Sequence, residues 1–107
     1  MSEAASEKVF KRVAAVSDFT DGVGKRVVVD GKPVAIFRVA GTFEAVTAVC
    51  PHAGGPIDEG DVEDGVVTCP WHGMQYHLDS GECLDDPGFK LAHYTVKVEG
   101  DDVLVAL

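Results

Sequence analysis

The runs His93-Tyr94-Thr95-Val96-Lys97-Val98 and Asp102-Val103-Leu104-Val105-Ala106-Leu107 stand on either side of the turn signal Gly100-Asp101-Asp102. In the first, Tyr94, Val96 and Val98 alternate with Thr95 and Lys97; the second is dense in branched apolar residues. Both patterns suit strands packed on a common core, and the glycine between them suits a hairpin. The same pattern recurs upstream at Lys11–Val16, Lys25–Val29, Val34–Val39, Phe43–Val49, Gly65–Thr68 and Gln75–Leu78. Asp30-Gly31, Ala40-Gly41-Thr42 and Ser80-Gly81 supply further turns. No stretch carries a convincing helical period. The pattern predicts an all-β protein of about eight short strands, an antiparallel sandwich or small barrel.

A chain of 107 residues is long enough for one domain with a modest core. Residues 1–8, rich in Ala, Ser and Glu, read as a flexible tail, and 9–107 as a single domain. No export signal and no apolar run long enough to cross a bilayer is visible, so a soluble, cytoplasmic protein without membrane contact is expected. The formal charge of −9 argues against nucleic acid, whose phosphates it would repel, and for partners with basic surfaces. Three cysteines, an odd number, argue against a disulfide framework and toward metal or redox use of thiols.

Pro and Gly crowd the stretch from Cys50 to Gly73, which reads as two tight loops with a short connection. Its acidic patch, Asp58, Glu59, Asp61, Glu63 and Asp64, is expected to be a solvated loop or a docking surface. Each loop offers one thiolate and one imidazole: Cys50-Pro51-His52, then sixteen residues, then Cys69-Pro70-Trp71-His72-Gly73. Facing one another, such loops can present thiolates to one iron and imidazoles to the other, as a [2Fe–2S] centre with two His in place of two Cys requires. Gly54, Gly55 and Gly73 sit where backbone must approach bridging sulfides. Zinc is the rival, since two Cys and two His are ordinary tetrahedral ligands. Structural zinc sites favour C-x₂₋₄-C knuckles, though, whereas here the ligand types interleave.

The C-x-H and C-x-x-H-G pair, with CPHAGGP at Cys50–Pro56 and CPWHG at Cys69–Gly73, resembles the signature of the Rieske family and its soluble ferredoxins. The resemblance runs from about Phe10 to Leu107. It implies an antiparallel β domain with a two-loop cluster-binding subdomain, one [2Fe–2S] cluster per chain, Cys50 and Cys69 on one iron, and His52 and His72 on the other. The disulfide of the quinol-oxidising branch is not expected, because Gly55 and Trp71 occupy its cysteine positions. Met74 stands where that branch has a hydroxyl-bearing Ser, and Tyr76 matches its Tyr. With a thioether that cannot donate and a charge of −9, a potential at the low end of the Rieske range is expected, nearer roughly −150 mV than +300 mV.

No Ser/His/Asp set or phosphate-cradling loop is visible, so an electron-transfer component and not an enzyme is expected. The resemblance implies a flavoprotein NAD(P)H reductase as donor and a terminal oxygenase, of the aromatic-ring dioxygenase kind, as acceptor. The alternatives are the small Rieske-like subunit of an NAD(P)H nitrite reductase and a zinc-stabilised interaction module. Cys83, beyond the Ser80-Gly81-Glu82 turn and away from other ligand types, reads as a small packed thiol. His77 and His93 read as surface or hydrogen-bonded side chains on strands, and Trp71 as a cover that shields the cluster or meets a partner.

Overall fold

The computed structural model describes residues 9–51, 54–71, 73–86 and 88–106. Nine strands form among them: β1 (Phe10–Ala15), β2 (Gly24–Val29), β3 (Lys32–Val39), β4 (Thr42–Thr47), β5 (Asp61–Glu63), β6 (Val66–Thr68), β7 (Gln75–His77), β8 (His93–Glu99) and β9 (Asp102–Ala106). Six of them make an antiparallel sheet in the order β1-β9-β8-β4-β3-β2. Its two edges, β1 and β2, touch, so the sheet curls into a nearly closed barrel. The tail expected at residues 1–8 lies outside the described residues.

Turn chemistry sets the registers. Asp30-Gly31 joins β2 to β3 with φ of 52° and 79°, and Ala40-Gly41 joins β3 to β4 with 51° and 82°. Positive φ at both central residues is the type I′ pattern, whose twist matches that of the flanking strands. Ala40 holds that conformation with a Cβ, a local cost of about 1–2 kcal/mol.

The run Val34-Ala35-Ile36-Phe37 does not alternate because both faces of β3 are covered: all four residues are fully buried. Val34 and Ile36 point into the barrel core with Ala45, Val103 and Val105. Ala35 and Phe37 point into a second core with Val46, Ile57, Tyr76 and Leu91. The middle of the barrel wall thus lies between two cores, each fully buried large side chain contributing about 1.5–3 kcal/mol.

The second core underlies an excursion. Strands β4 and β8 are neighbours in the barrel, joined at Ala45↔Tyr94 and Val46↔His93, and Thr47 N donates to Ala92 O at 2.9 Å. Residues 48–92 therefore leave the barrel and return to the same place, carrying both Cys loops and the small sheet β5-β6-β7. The acidic stretch expected as a loop contains strand β5, a correction with a clear cause. Asp64-Gly65 forms a third I′-type turn, φ 53° and 76°, which folds β5 onto β6 in the register Asp61↔Thr68, Val62↔Val67, Glu63↔Val66. Val62 packs against the second core while Asp61 and Glu63 face water. Two short 3₁₀ turns, Val16–Asp18 and Ile57–Glu59, also lack a sequence signal of their own.

Candidate metal centre

Cys50 and Cys69 occupy equivalent positions in two small hairpins. Cys50 N donates to Gly55 O at 2.9 Å, and Cys69 N donates to Met74 O at 2.8 Å, each reaching the carbonyl five residues on. In the first loop Gly54 N donates to Cys50 O at 2.7 Å, and Val49 pairs with Pro56 at the base. Each cysteine is thereby held where a stem ends and a loop begins, with its backbone N–H engaged, and at Cys50 the carbonyl as well.

The loops bring the two thiols together. Both cysteines are 1% exposed, no disulfide joins them, and the Cys69 thiol lies within hydrogen-bonding reach of the Cys50 sulfur. Burial pushes the Cys69 thiol up in pKa, while the Trp71 backbone N–H, donating to its sulfur, acts in the opposite direction. The Tyr76 hydroxyl stands 3.2 Å from Cys50 Sγ. Burial first, and then Cys50, drives that hydroxyl well above its ordinary pKa, so it stays protonated as a donor. Gly55 presses the first loop on the second: a Cβ there would lie 2.7 Å from Cys69 Sγ and 2.9 Å from Trp71 Cγ. Trp71 itself is half exposed beside the sulfurs.

Two buried thiols side by side are a poor place for free thiolates and a good one for a shared cation, which removes both protons and supplies the missing charge. A hydroxyl donor at one sulfur and a backbone N–H at the other fit electron-rich bound thiolates. This donor set fits the cysteine-ligated iron of a [2Fe–2S] group. His52 and His72 lie outside the described residues, and among the described residues no group of three or more His, Cys, Asp or Glu gathers.

The remaining sequence candidates lie elsewhere. Cys83 is buried in the second core and bridges Tyr76 through the backbone. His93 Nε2 is 3.0 Å from Glu44 Oε1 on the barrel. His77 is exposed and lines a shallow cavity of about 280 Å³ with Thr42, Glu44, Asp64 and Asp79. Met74 is partly buried against the second core. Charge is distributed unevenly: from Val39 to Phe89 the chain has ten Asp or Glu and no Lys or Arg, whereas the rest has eight acids and all nine bases. The net charge of −9 therefore belongs to the part of the chain that carries the Cys loops.

Sequence reading misses Arg26 near the site and its pairing with Asp58, which it places only in the acidic patch and whose side chain is instead 13% exposed. Arg26 Nε and Nη2 lie 3.0 and 2.9 Å from Asp58 Oδ1, and Nη2 also donates to Ala48 O at a long 3.4 Å. One arginine on a strand and one aspartate in an acidic run carry no mutual signal across a separation of 32 positions.

The family model for the Rieske [2Fe-2S] domain matches residues 9–105. Human apoptosis-inducing factor 3 is 34% identical over 94 residues, which are 87% of this chain but 16% of that protein, so the chain spans about a sixth of that relative's length. The 3-phenylpropionate/cinnamic acid dioxygenase ferredoxin subunit of Escherichia coli K12 is 37% identical over 95 residues, covering 86% of this chain and 88% of its own. Among solved structures, the complex of reduced oxygenase and oxidised ferredoxin of carbazole 1,9a-dioxygenase contains a chain of 30% identity and TM-score 0.84, with 94% of each chain covered. A Mycobacterium tuberculosis protein assigned as the small subunit of an NADH-dependent nitrite reductase matches at 31% identity and TM-score 0.89, covering 94% of this chain and 96% of that one. With a family match over residues 9–105 and the paired buried thiols in two equivalent loops, the chain belongs to the Rieske [2Fe-2S] domain family.

Proposed function

We propose that the protein is a one-electron carrier with one [2Fe–2S] cluster per chain, held by Cys50 and Cys69 on one iron and by His52 and His72 on the other. The observation that carries this reading is the convergence of two buried thiols, 1% exposed each, from loops closed by the same bond pattern. The cluster, when bound, takes up and gives back single electrons at a potential raised by its two neutral imidazoles. The protein's own residues hold the sulfurs out of water and donate to them from Tyr76 and the Trp71 amide, with Trp71 packed beside Gly55 at the mouth of the loops.

The relatives of comparable length support a terminal oxygenase as acceptor, one being a dioxygenase ferredoxin subunit and another a ferredoxin seen with its oxygenase; the flavoprotein NAD(P)H reductase as donor is what the family resemblance implies. On this reading the protein is not itself an enzyme and works in the cytoplasm. A second reading, a fixed small subunit of a nitrite reductase, is favoured by the TM-score of 0.89 to the mycobacterial chain.

Native purification and electron transfer separate the two. A carrier purifies as a small free protein and is reduced in catalytic turnover by NADH and a flavoprotein reductase of a dioxygenase system. Stable co-purification with a large nitrite-reducing subunit would replace the carrier reading. Stoichiometric zinc in a colourless protein would replace both.

A further inference from the structure

The hairpin that presents Cys50 has two stems, and a single barrel side chain reaches both. The rising stem runs from Ala48 to Cys50; the falling one runs from Pro56 into the 3₁₀ turn Ile57–Glu59. Ile57 N donates to Ala48 O at 2.8 Å, closing the base. Arg26, on β2 of the barrel, bonds Asp58 on the falling stem at 2.9–3.0 Å and Ala48 O on the rising stem at 3.4 Å. The pair is not a casual surface contact, because the Asp58 side chain is 13% exposed against 41% for Arg26. Two residues before Arg26, on the same face of β2, Gly24 gives the falling stem its room. A Cβ there would stand 2.4 Å from Asp58 O and 2.7 Å from the Phe37 ring. Among the ion pairs between described residues, the others join barrel elements or the turns between them: Lys11–Asp30, Arg12–Asp102, Arg38–Asp21, His93–Glu44 and Lys97–Glu99. Arg26–Asp58 alone crosses from barrel to excursion.

We propose that Arg26 and Asp58 form a clasp that positions Cys50 for the cluster and balances charge beside it, so that breaking either half loosens the cluster. Arg26 is a positioning residue: it touches the stems of the loop and acts through Cys50. The inference rests on the reading of Cys50 as an iron ligand. Loss of either partner leaves the other partly buried and unpaired, with a consequence that differs in sign. An unpaired Asp58 carboxylate opposes the extra negative charge of the reduced cluster, whereas an unpaired Arg26 guanidinium favours it.

The test uses the full chain with its native cluster and the variants Arg26→Met, Asp58→Asn and Arg26→Lys, with Arg12→Met as an ion-pair control far from the loop. Bleaching of the visible absorption under a chelator gives the rate of cluster release, and spectroelectrochemistry gives the midpoint potential. Arg26→Met and Asp58→Asn should each release the cluster about tenfold faster, equivalent to about 1.4 kcal/mol of loop positioning. Arg26→Lys should recover most of that loss, and Arg12→Met should match wild type. The potential should fall in Arg26→Met and rise in Asp58→Asn, a split that a merely structural role would not produce. Release rates within about twofold of wild type, a factor worth about 0.4 kcal/mol, or potentials moving in the same direction, would overturn the clasp. If Arg26→Met does not fold, Asp58→Asn decides alone: faster release with a raised potential supports the clasp, and a release rate within about twofold of wild type or a potential that does not rise overturns it. If wild-type protein contains no iron or sulfide, the ligand reading fails. The clasp is then judged by alkylation of Cys50, located by mass spectrometry: faster in Arg26→Met supports it, an unchanged rate overturns it.

Discussion

Replacing Tyr76 by Phe removes one oxygen from the centre of the site and leaves the ring in place. The hydroxyl is 3.2 Å from Cys50 Sγ in a residue with no solvent exposure, so water cannot take over its role. A hydrogen bond to a charged acceptor contributes about 1.5–3 kcal/mol. Its effect on potential is the part that changes with oxidation state. With Cys50 as the proposed iron ligand, its sulfur would be more electron-rich in the reduced centre, so the donor would stabilise that state more, by about 1–2 kcal/mol on the scale of such bonds. For one electron a tenfold change in equilibrium is about 59 mV, so Tyr76→Phe should lower the midpoint potential by roughly 40–90 mV. The assay is spectroelectrochemical titration of wild type and variant, with iron analysis to show that both are loaded. A fully loaded variant whose potential is unchanged within about 15 mV, or higher, would refute the assignment of this hydroxyl as a donor to the reduced centre.

Other outcomes follow from the same geometry. Gly55→Ala places a methyl 2.7 Å from Cys69 Sγ; overpacking of this kind costs about 1–3 kcal/mol, and purified protein should keep its far-UV circular dichroism but lose iron. Ala40→Gly relieves a Cβ at φ 51° and should stabilise the fold by about 1 kcal/mol, raising the thermal midpoint by roughly 4–8 °C. With ten acids and no base between Val39 and Phe89, the second-order rate with a basic redox partner should fall roughly tenfold or more from low to high salt. A flat profile in stopped-flow measurements would move docking to the apolar surface around Trp71.

The features legible in the sequence are those encoded by neighbours along the chain. β8 and β9 follow from alternation and branched residues, β2 and β3 from runs flanking Asp30-Gly31, and the paired thiols from two loops each built of Cys, Pro, His and Gly. Strand β5 escaped because its composition, two acids around Val62, is that of a solvated loop; only the Asp64-Gly65 turn and the inward face of Val62 make it a strand. The uninterrupted run Val34–Phe37 marks a strand covered on both sides, but which face meets which core depends on the excursion of residues 48–92, a tertiary fact. The same holds for Arg26, Asp58 and Gly24, whose roles exist only once the falling stem of the Cys50 loop lies against β2. Tyr76 was legible as a position and not as a contact: its place on β7, just after the second loop, is local, while its reach to Cys50 spans 26 residues.

The central claim is that the paired loops hold a two-iron centre that carries one electron. Its most direct test is iron, acid-labile sulfide and reducing equivalents measured per chain on one natively purified sample. About two iron, about two sulfides and a single electron taken up, with a paramagnetic signal of about one spin per chain, are the expected result. A colourless protein with one zinc per chain, or an iron protein without labile sulfide, would contradict it.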